Sequence, residues 1–425
     1  MRTQQFANML KTGAAITAVL AMTACGATGG DDTASDHTGG MEDDGVVTLT
    51  MSDDQNGAYA TMAKEYEKAT GVKVNVMEVP YDDLNTKIAN AGKADDLPDV
   101  ARVPQVNPVW TDELIDLSDL ATSHKAMDSL ITKTSDGKVL TIPSDLTAVG
   151  LMLNTSLFDK AGVSYPKTSD ESWTWDEFID AVTKVQAATG AKYGMVMDAS
   201  SHRERSFMYQ FGSKGVQKQS DGTYKLDAGA KTALEFLKKI DDDKIMPKSV
   251  WASNDDPSAL FKSGQVAAYY SGNWQISDFI NSITSFEWKT VPMPSQPTRA
   301  TNIGTNYMVS FSNEGKKFLD WFYSTENYTK FCEIGSYLPA LEDIEPNYSD
   351  RLDDFRMYQD EIAKADQSVS AHQITTQLEL ALQGAVLGED PMKSETVKYL
   401  TGEQDVDTAI ANMEKRFTES YALDE

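Results

Sequence analysis

Three short runs of alternating apolar residues, separated by two helical stretches, constrain the fold of this chain more than anything else in it. Val47, Leu49 and Met51 alternate with polar neighbours, the pattern of a strand with one buried face. Tyr59, Met62, Ala63 and Tyr66 then recur at i, i+3, i+4 and i+7, which is one face of a helix. Asn56 is placed to cap that helix and Gly71 to stop it. Val72, Val74 and Val76 alternate again, a second helix covers roughly residues 82–92, and Asp99–Val103 is a third strand. A strand-helix-strand-helix-strand order predicts a parallel sheet with crossover helices.

The alternation of element types continues. Residues 138–154 are mostly apolar, as a strand buried on both faces would be. Thr174-Trp175-Asp176-Glu177 reads as a capping box, and the helix it opens buries Trp175, Phe178, Ile179, Val182 and Val185. A further helix lies near residues 227–241. Phe261–Ser271 gives a helix end, a turn at Gly264 and a strand, and Ile303–Phe311 is another strand. From there helices are predicted over 314–334, 351–365, 371–387 and 404–418, with residues 391–401 as a loop between them. Trp175 and Trp321 have apolar partners at helical spacing and are predicted to be core. No tandem repeat of solenoid or propeller length occurs. At 425 residues the chain is long enough for two domains.

The N-terminus has a different character. Arg2 and Lys11 precede an uncharged apolar run, residues 12–24, that is too short to span a bilayer and reads as a secretory signal. The run ends Met22-Thr23-Ala24-Cys25, which resembles a lipoprotein lipobox. That resemblance implies removal of residues 1–24 and lipid on Cys25. Residues 25–45 hold Asp31, Asp32, Asp36, Glu42, Asp43 and Asp44 and no base. They read as a disordered acidic tether with an end-to-end reach of about 25 Å.

Composition closes several routes. The formal charge is −27, and no Lys/Arg cluster interrupts it, so nucleic-acid binding is not expected. With two cysteines, one of them Cys25, Cys332 has no partner for a structural disulfide; a buried apolar role is expected for it. The four histidines show no H-x-x-x-H spacing, so no metal site is expected. No Gly-rich phosphate loop, dinucleotide fingerprint or G-x-S-x-G elbow is present, and no cofactor is expected.

Six segments in order resemble extracellular solute-binding proteins of ABC importers. Glu67-Lys68-Ala69-Thr70-Gly71-Val72-Lys73-Val74 follows the opening strand, and Leu97-Pro98-Asp99-Val100 carries the next one. Leu157-Phe158-Asp159-Lys160-Ala161-Gly162 and Trp173-Thr174-Trp175-Asp176-Glu177-Phe178 are the third and fourth. Phe261–Ala268 with Gly272-Asn273-Trp274 is the fifth, and Gly335–Ala340 is the sixth. The likeness covers about residues 46–420, and the branch is the oligosaccharide-binding one that includes maltose-binding protein. Leu153 stands where a tyrosine is common in that family.

The resemblance implies an α/β fold of two lobes, each a mostly parallel sheet flanked by helices. Hinge crossings would lie near Pro143–Val149, Ile303–Tyr307 and Tyr337–Ala340. Residues 46–145 and 306–338 would form lobe 1, and residues 146–305 and 339–425 lobe 2. It implies capture of an oligosaccharide by hinge closure and no catalysis. The partners implied are the transmembrane subunits of an ABC permease and a membrane reached through Cys25, on the outer face of the cell membrane, with the receptor a monomer. Expected contact residues are Asp54, Gln55 and Asn56 after the first strand, Gln105 and Asn107 after the third, and Asp145 at the first crossing. Arg203 and Glu204 lie in a second-lobe loop, Trp274 at a strand end, Asn306 and Tyr307 at the second crossing, and Tyr337 at the third. His372, with Gln373, falls in a late helix. Trp274 is the expected stacking platform, because a pyranose offers an apolar C–H face to an aromatic ring and hydroxyls to carboxylates, amides and arginine. A secreted glycoside hydrolase, a surface adhesin, and a receptor for peptide, polyol or polyamine are the competing readings.

Overall fold

The computed structural model describes residues 45–385 and 387–423. The signal segment, Cys25 and the tether up to Asp44 lie outside the described residues. Ten strands are found among those described: β1 (Val46–Met51), β2 (Lys73–Glu78), β3 (Val100–Val103), β4 (Ile142–Asn154), β5 (Tyr193–Met197), β6 (Gln217–Lys218), β7 (Tyr224–Lys225), β8 (Val266–Gly272), β9 (Trp288–Val291) and β10 (Ile303–Ser310). β1 pairs in parallel with β2 and β3, and β5 in parallel with β8. The remaining large-sheet pairs are antiparallel and centre on two strands. β10 lies between β3 and β4, and β4 also pairs with β8 and β9. β6 and β7 form a separate hairpin.

β4 organises the molecule. Its first half, Ile142–Ala148, pairs with β10, and its second half, Val149–Asn154, pairs with β8 and β9. One strand thus runs through two sheets. All of its residues but Thr147 are buried, which accounts for its near-continuous apolar sequence. The seam falls at Asp145–Val149. It is pinned from below by two tyrosines: Tyr323 Oη donates to the Pro143 carbonyl at 3.0 Å and Tyr328 Oη to that of Ser144 at 2.8 Å. Placing both tyrosines there breaks the helix predicted over 314–334 into Asn313–Phe322 and Thr325–Gly335.

The first helix is Ala58–Thr70, and it buries Ala58, Tyr59, Met62, Ala63 and Tyr66 against the core around β1. It stops at Gly71, whose φ of 80° a side chain would resist. Asn56 is not its cap. Asp54 accepts from the Tyr59 and Ala60 amides at 2.7 and 3.1 Å, while Asn56 sits in a tight turn at φ 54°. The capping box at Thr174 and Glu177 is formed, and Trp175, Phe178, Val182 and Val185 are buried beneath it.

Residues 391–401, expected as a loop, form the helix Pro391–Thr401. Proline at the first helical position and Asp390 accepting from the Met392 amide at 3.0 Å are both start signals. The stretch 371–387 yields a shorter helix, His372–Leu382. Its Ile374, Leu378 and Ala381 pack with Trp110, Tyr307 and Phe311, whereas Leu380 joins the core around β5 and β8. Cys332 is fully buried among aromatic side chains. No helix among the described residues is long and apolar enough to cross a membrane.

Candidate functional site

Where β4 passes from one sheet into the other, a cleft of ≈ 1280 Å³ opens. One wall is built from the segments that follow β1 and β3, with Arg102 of β3 between them. The other comes from the start of the helix Ser201–Gln210, Asn273 and Trp274 just after β8, and residues 387–390. Strand ends at a topological break are where open α/β sheets place ligands. A smaller cavity of ≈ 520 Å³, lined among others by Lys238, Asp241 and Trp251, shares no residue with the cleft.

The floor carries a buried ion pair. Arg102, in the middle of β3, is 3 % exposed and Asp145, in β4, is 2 % exposed. Arg102 Nη2 donates to Asp145 Oδ1 at 2.9 Å, Nη1 to the Ser52 carbonyl at 3.0 Å and Nε to Ser144 Oγ at 3.2 Å. Burial opposes the charge on Arg102 most strongly, but Asp145, Tyr59 and Tyr337 together outweigh it and hold the guanidinium protonated. The Arg102 Cζ also lies 5.6 Å from the Tyr59 ring centre and 5.9 Å from that of Tyr337. The Tyr337 hydroxyl donates to the Asp53 carbonyl at 3.0 Å and accepts from the Gln55 amide at 3.1 Å, fixing the turn after β1.

Trp274 stands on the opposite wall. Its benzo edge rests on Gly272, where an added Cβ would lie 2.0 Å from Cη2, so only glycine admits the ring there. Arg203 covers one face, with Cζ 4.3 Å from the ring centre, a cation–π distance. Asp198 holds the arginine in place. Its Oδ2 accepts from Arg203 Nε at 2.7 Å and from Ser271 Oγ at 2.7 Å, and its Oδ1 accepts from Tyr269 Oη.

Nine of the residues expected from sequence line this cleft: Asp54, Gln55, Gln105, Asn107, Asp145, Arg203, Trp274, Asn306 and Tyr337. Four do not. Asn56 donates from Nδ2 to Ser277 Oγ at 2.9 Å and to the Ile334 carbonyl at 3.0 Å. Tyr307 is packed with Trp110 and Phe311 on the far side of β10; successive strand residues face opposite ways, so it cannot accompany Asn306. Glu204 is fully buried and accepts from Thr396 Oγ1, because adjacent helix positions diverge by about 100° and Arg203 takes the cleft side. The His372 imidazole lies 2.8 Å from the Val216 carbonyl and 2.9 Å from Gln217 Nε2. Sequence reasoning missed Arg102, Glu78, Asn273, Asn302 and Asp390, which also line the cleft, and Gln373 entered only beside His372. Arg102 had left a signal, since a lone arginine in an otherwise apolar strand needs a buried partner.

The wall around Arg203 is ionisable, with His202 and Asp390 half-buried at the cleft and Glu204 fully buried. Burial, reinforced by Arg205 and Arg203, pushes the His202 imidazole down to about 4. Burial also opposes ionisation of Asp390, yet its ion pair with Arg205 keeps that carboxyl below its ordinary range. Burial pushes Glu204 up to about 8, with Asp390 adding to the rise and the Thr396 bond opposing it. The folded chain therefore holds a proton on Glu204 where the unfolded chain, with a carboxyl near 4.5, has lost it. That contribution to stability is complete below about pH 4.5 and fades as pH rises toward 8. Glu204→Gln, which keeps the Thr396 partner, is expected to be more stable than the parent at pH 8 and equal to it at pH 4.5. Urea midpoints measured across that range check this, and a difference that does not change with pH would refute it.

Residues 61–360 match the family described as bacterial extracellular solute-binding protein. The chain belongs to that family. This solute-binding protein is 27 % identical over 311 residues to the lactose-binding protein of Rhizobium radiobacter, covering 67 % of this chain and 71 % of that one. Its fold matches maltose-bound T. maritima MalE3 with a TM-score of 0.70 at 17 % identity, over 88 % of this chain and 99 % of the other. It also matches the ABC transporter associated binding protein of B. animalis subsp. lactis Bl-04 in complex with β-1,6-galactobiose, with a TM-score of 0.65 at 21 % identity, over 88 % and 97 % of the two chains. The solute-binding protein therefore has the two-lobe α/β fold of periplasmic binding proteins, with the cleft at the seam between its lobes. The family consists of binding proteins that work outside the cytoplasm.

Proposed function

We propose that this protein captures an oligosaccharide between its two lobes by hinge closure and hands it unaltered to the membrane subunits of an ABC importer. The observation that carries the reading is the composition of the cleft: one half-buried tryptophan held by an arginine, facing a wall of amides, hydroxyls and carboxylates. That is the complement of a pyranose, whose C–H face stacks and whose hydroxyl rim takes directional hydrogen bonds. The lactose named for the Rhizobium radiobacter protein and the galactobiose in the B. animalis complex are of this chemical class.

In this reading Trp274 stacks, Asp145, Gln105, Asn107 and Asn306 meet hydroxyls, and Asp54, Gln55 and Tyr337 shape the opposite wall. The lobes comprise residues 46–145 with 306–338 and 146–305 with 339–425. The helix His372–Leu382 belongs to the second and reaches the first through Ile374 and Leu378. Closure shifts an existing open–closed balance, because ligand touches both walls only when they meet. The receptor acts as a monomer held at the outer face of the cell membrane by lipid on Cys25.

The test is a thermal-shift and calorimetric panel of lactose, β-1,6-galactobiose and maltose, with chromatography of the sugars afterwards and mass spectrometry of the mature N-terminus. Saturable binding of at least one sugar, no new products and an acylated Cys25 are expected. A site filled to 100 times its dissociation constant adds about 2.7 kcal/mol to stability, a readily visible shift. Sugar breakdown products would point to a hydrolase, and a panel without any shift would remove the carbohydrate reading.

A further inference from the structure

Both arginines in the cleft are already committed. Arg102 is neutralised by Asp145 on the floor, and Arg203 is neutralised by Asp198 behind Trp274. His202, the other cationic-capable side chain among the described lining residues, is half-buried and uncharged near pH 7. No lysine lines the cleft among the described residues. Carboxylates, by contrast, are in surplus there. Asp53, Asp54 and Glu78 crowd the lip beside β1 and β2, while Glu389 on the opposite rim is paired with Arg416 at 3.8 Å. Glu78 Oε1 accepts from the Asp54 amide at 3.2 Å, so two of these acids are neighbours. Burial, with the Glu78 charge added, raises the Asp54 carboxyl above its ordinary range. A further negative charge brought between these walls would meet like charge and find no free cation, an arrangement that costs affinity for the wrong partner far more than it adds for the right one.

Resting on the receptor reading above, we infer that the cleft sorts saccharides by charge: it accepts uncharged oligosaccharides and excludes those bearing carboxylate, sulfate or phosphate. The two arginines act as hydrogen-bonding and stacking groups whose charge is cancelled in place. Asp198 thereby becomes a positioning residue for specificity, although it does not line the cleft. It holds Arg203 against the indole, and it removes the one cation that an acidic sugar could use on that wall.

The test compares two forms of the best-binding neutral disaccharide from the panel, both oxidised at the terminal C6 hydroxymethyl: the free carboxylate and its methyl ester. They differ by one charge and little in shape. The carboxylate is expected to bind the wild-type protein at least about tenfold more weakly than the ester at low salt, with the gap shrinking as ionic strength rises and the field is screened. Asp53→Asn with Glu78→Gln, which removes two of these charges while the side-chain carbonyl oxygen at position 78 can still accept from the Asp54 amide, is expected to narrow the gap by about threefold or more. A gap below tenfold, or one that ignores both salt and the double variant, overturns the inference while leaving the receptor reading intact. If the ester and the parent sugar also fail to bind, the receptor reading fails and this inference goes with it. Should the double variant not fold, the salt series on the wild-type protein decides alone.

Discussion

Asp145→Ala is expected to destabilise the protein by ~3–5 kcal/mol, the largest loss of any single substitution at the site. The argument is one of leftover charge. Arg102 is 3 % exposed and draws its compensation from Asp145 Oδ1 at 2.9 Å; the Ser52 carbonyl and the Ser144 hydroxyl supply dipoles but no countercharge. Removing the carboxylate leaves a guanidinium in a place where it can be neither hydrated nor neutralised. The pair of changes Arg102→Met and Asp145→Leu tests the cause. It deletes both charges and should recover most of the lost stability, because the penalty belongs to the orphaned ion and not to the missing bond. Urea unfolding followed by circular dichroism gives the values. A loss under about 1 kcal/mol for Asp145→Ala would mean that water reaches Arg102 freely.

Trp274→Ala should weaken sugar binding about tenfold or more, a loss of roughly 1–3 kcal/mol, while leaving the fold in place. The side chain is only half buried and belongs to none of the hydrophobic cores, so little folding energy rides on it. Gly272→Ala should act in the same direction through a different cause. The new methyl carbon would occupy space 2.0 Å from Trp274 Cη2, forcing the indole off the strand end and away from Arg203. Calorimetric titration of both variants with the sugar that binds best checks this; unchanged affinity in Trp274→Ala would remove the ring from the site.

The parts of this molecule that could be read from its sequence are those with a local cause. β1, the helix Ala58–Thr70 and the capping box at Thr174 follow from the spacing of neighbouring residues. So does the uninterrupted burial of β4, visible as a long apolar run. What escaped has its cause elsewhere in the chain. The break between Phe322 and Thr325 exists because two tyrosines must reach the carbonyls of Pro143 and Ser144. Arg102 belongs to the cleft because Asp145 is across from it, on a strand brought near through β10.

Among the expected contact residues, those that fall outside the cleft lining are chain neighbours of ones that line it. Asn306 and Tyr307 cannot share a face of a strand, nor Arg203 and Glu204 a face of a helix. The structure gives one of each couple to the cleft and the other to packing or to a buried hydrogen bond. Asn56, expected as a cap and a ligand contact, leaves the cap to Asp54 and lies outside the cleft lining. Its left-handed backbone turns the amide toward Ser277 and Ile334, a contact that no periodicity foretells.

The sharing of β4 has a consequence for how such a molecule can come apart. Each half of the protein borrows the same ribbon of backbone to complete its sheet, so neither half owns a full set of strands. Loosening one half bares the unsatisfied edge of a strand the other still needs. Separating either half from this common ribbon would break backbone pairs on both sides of it. The two halves are thus expected to melt together in one transition, lacking the independence to unfold one at a time.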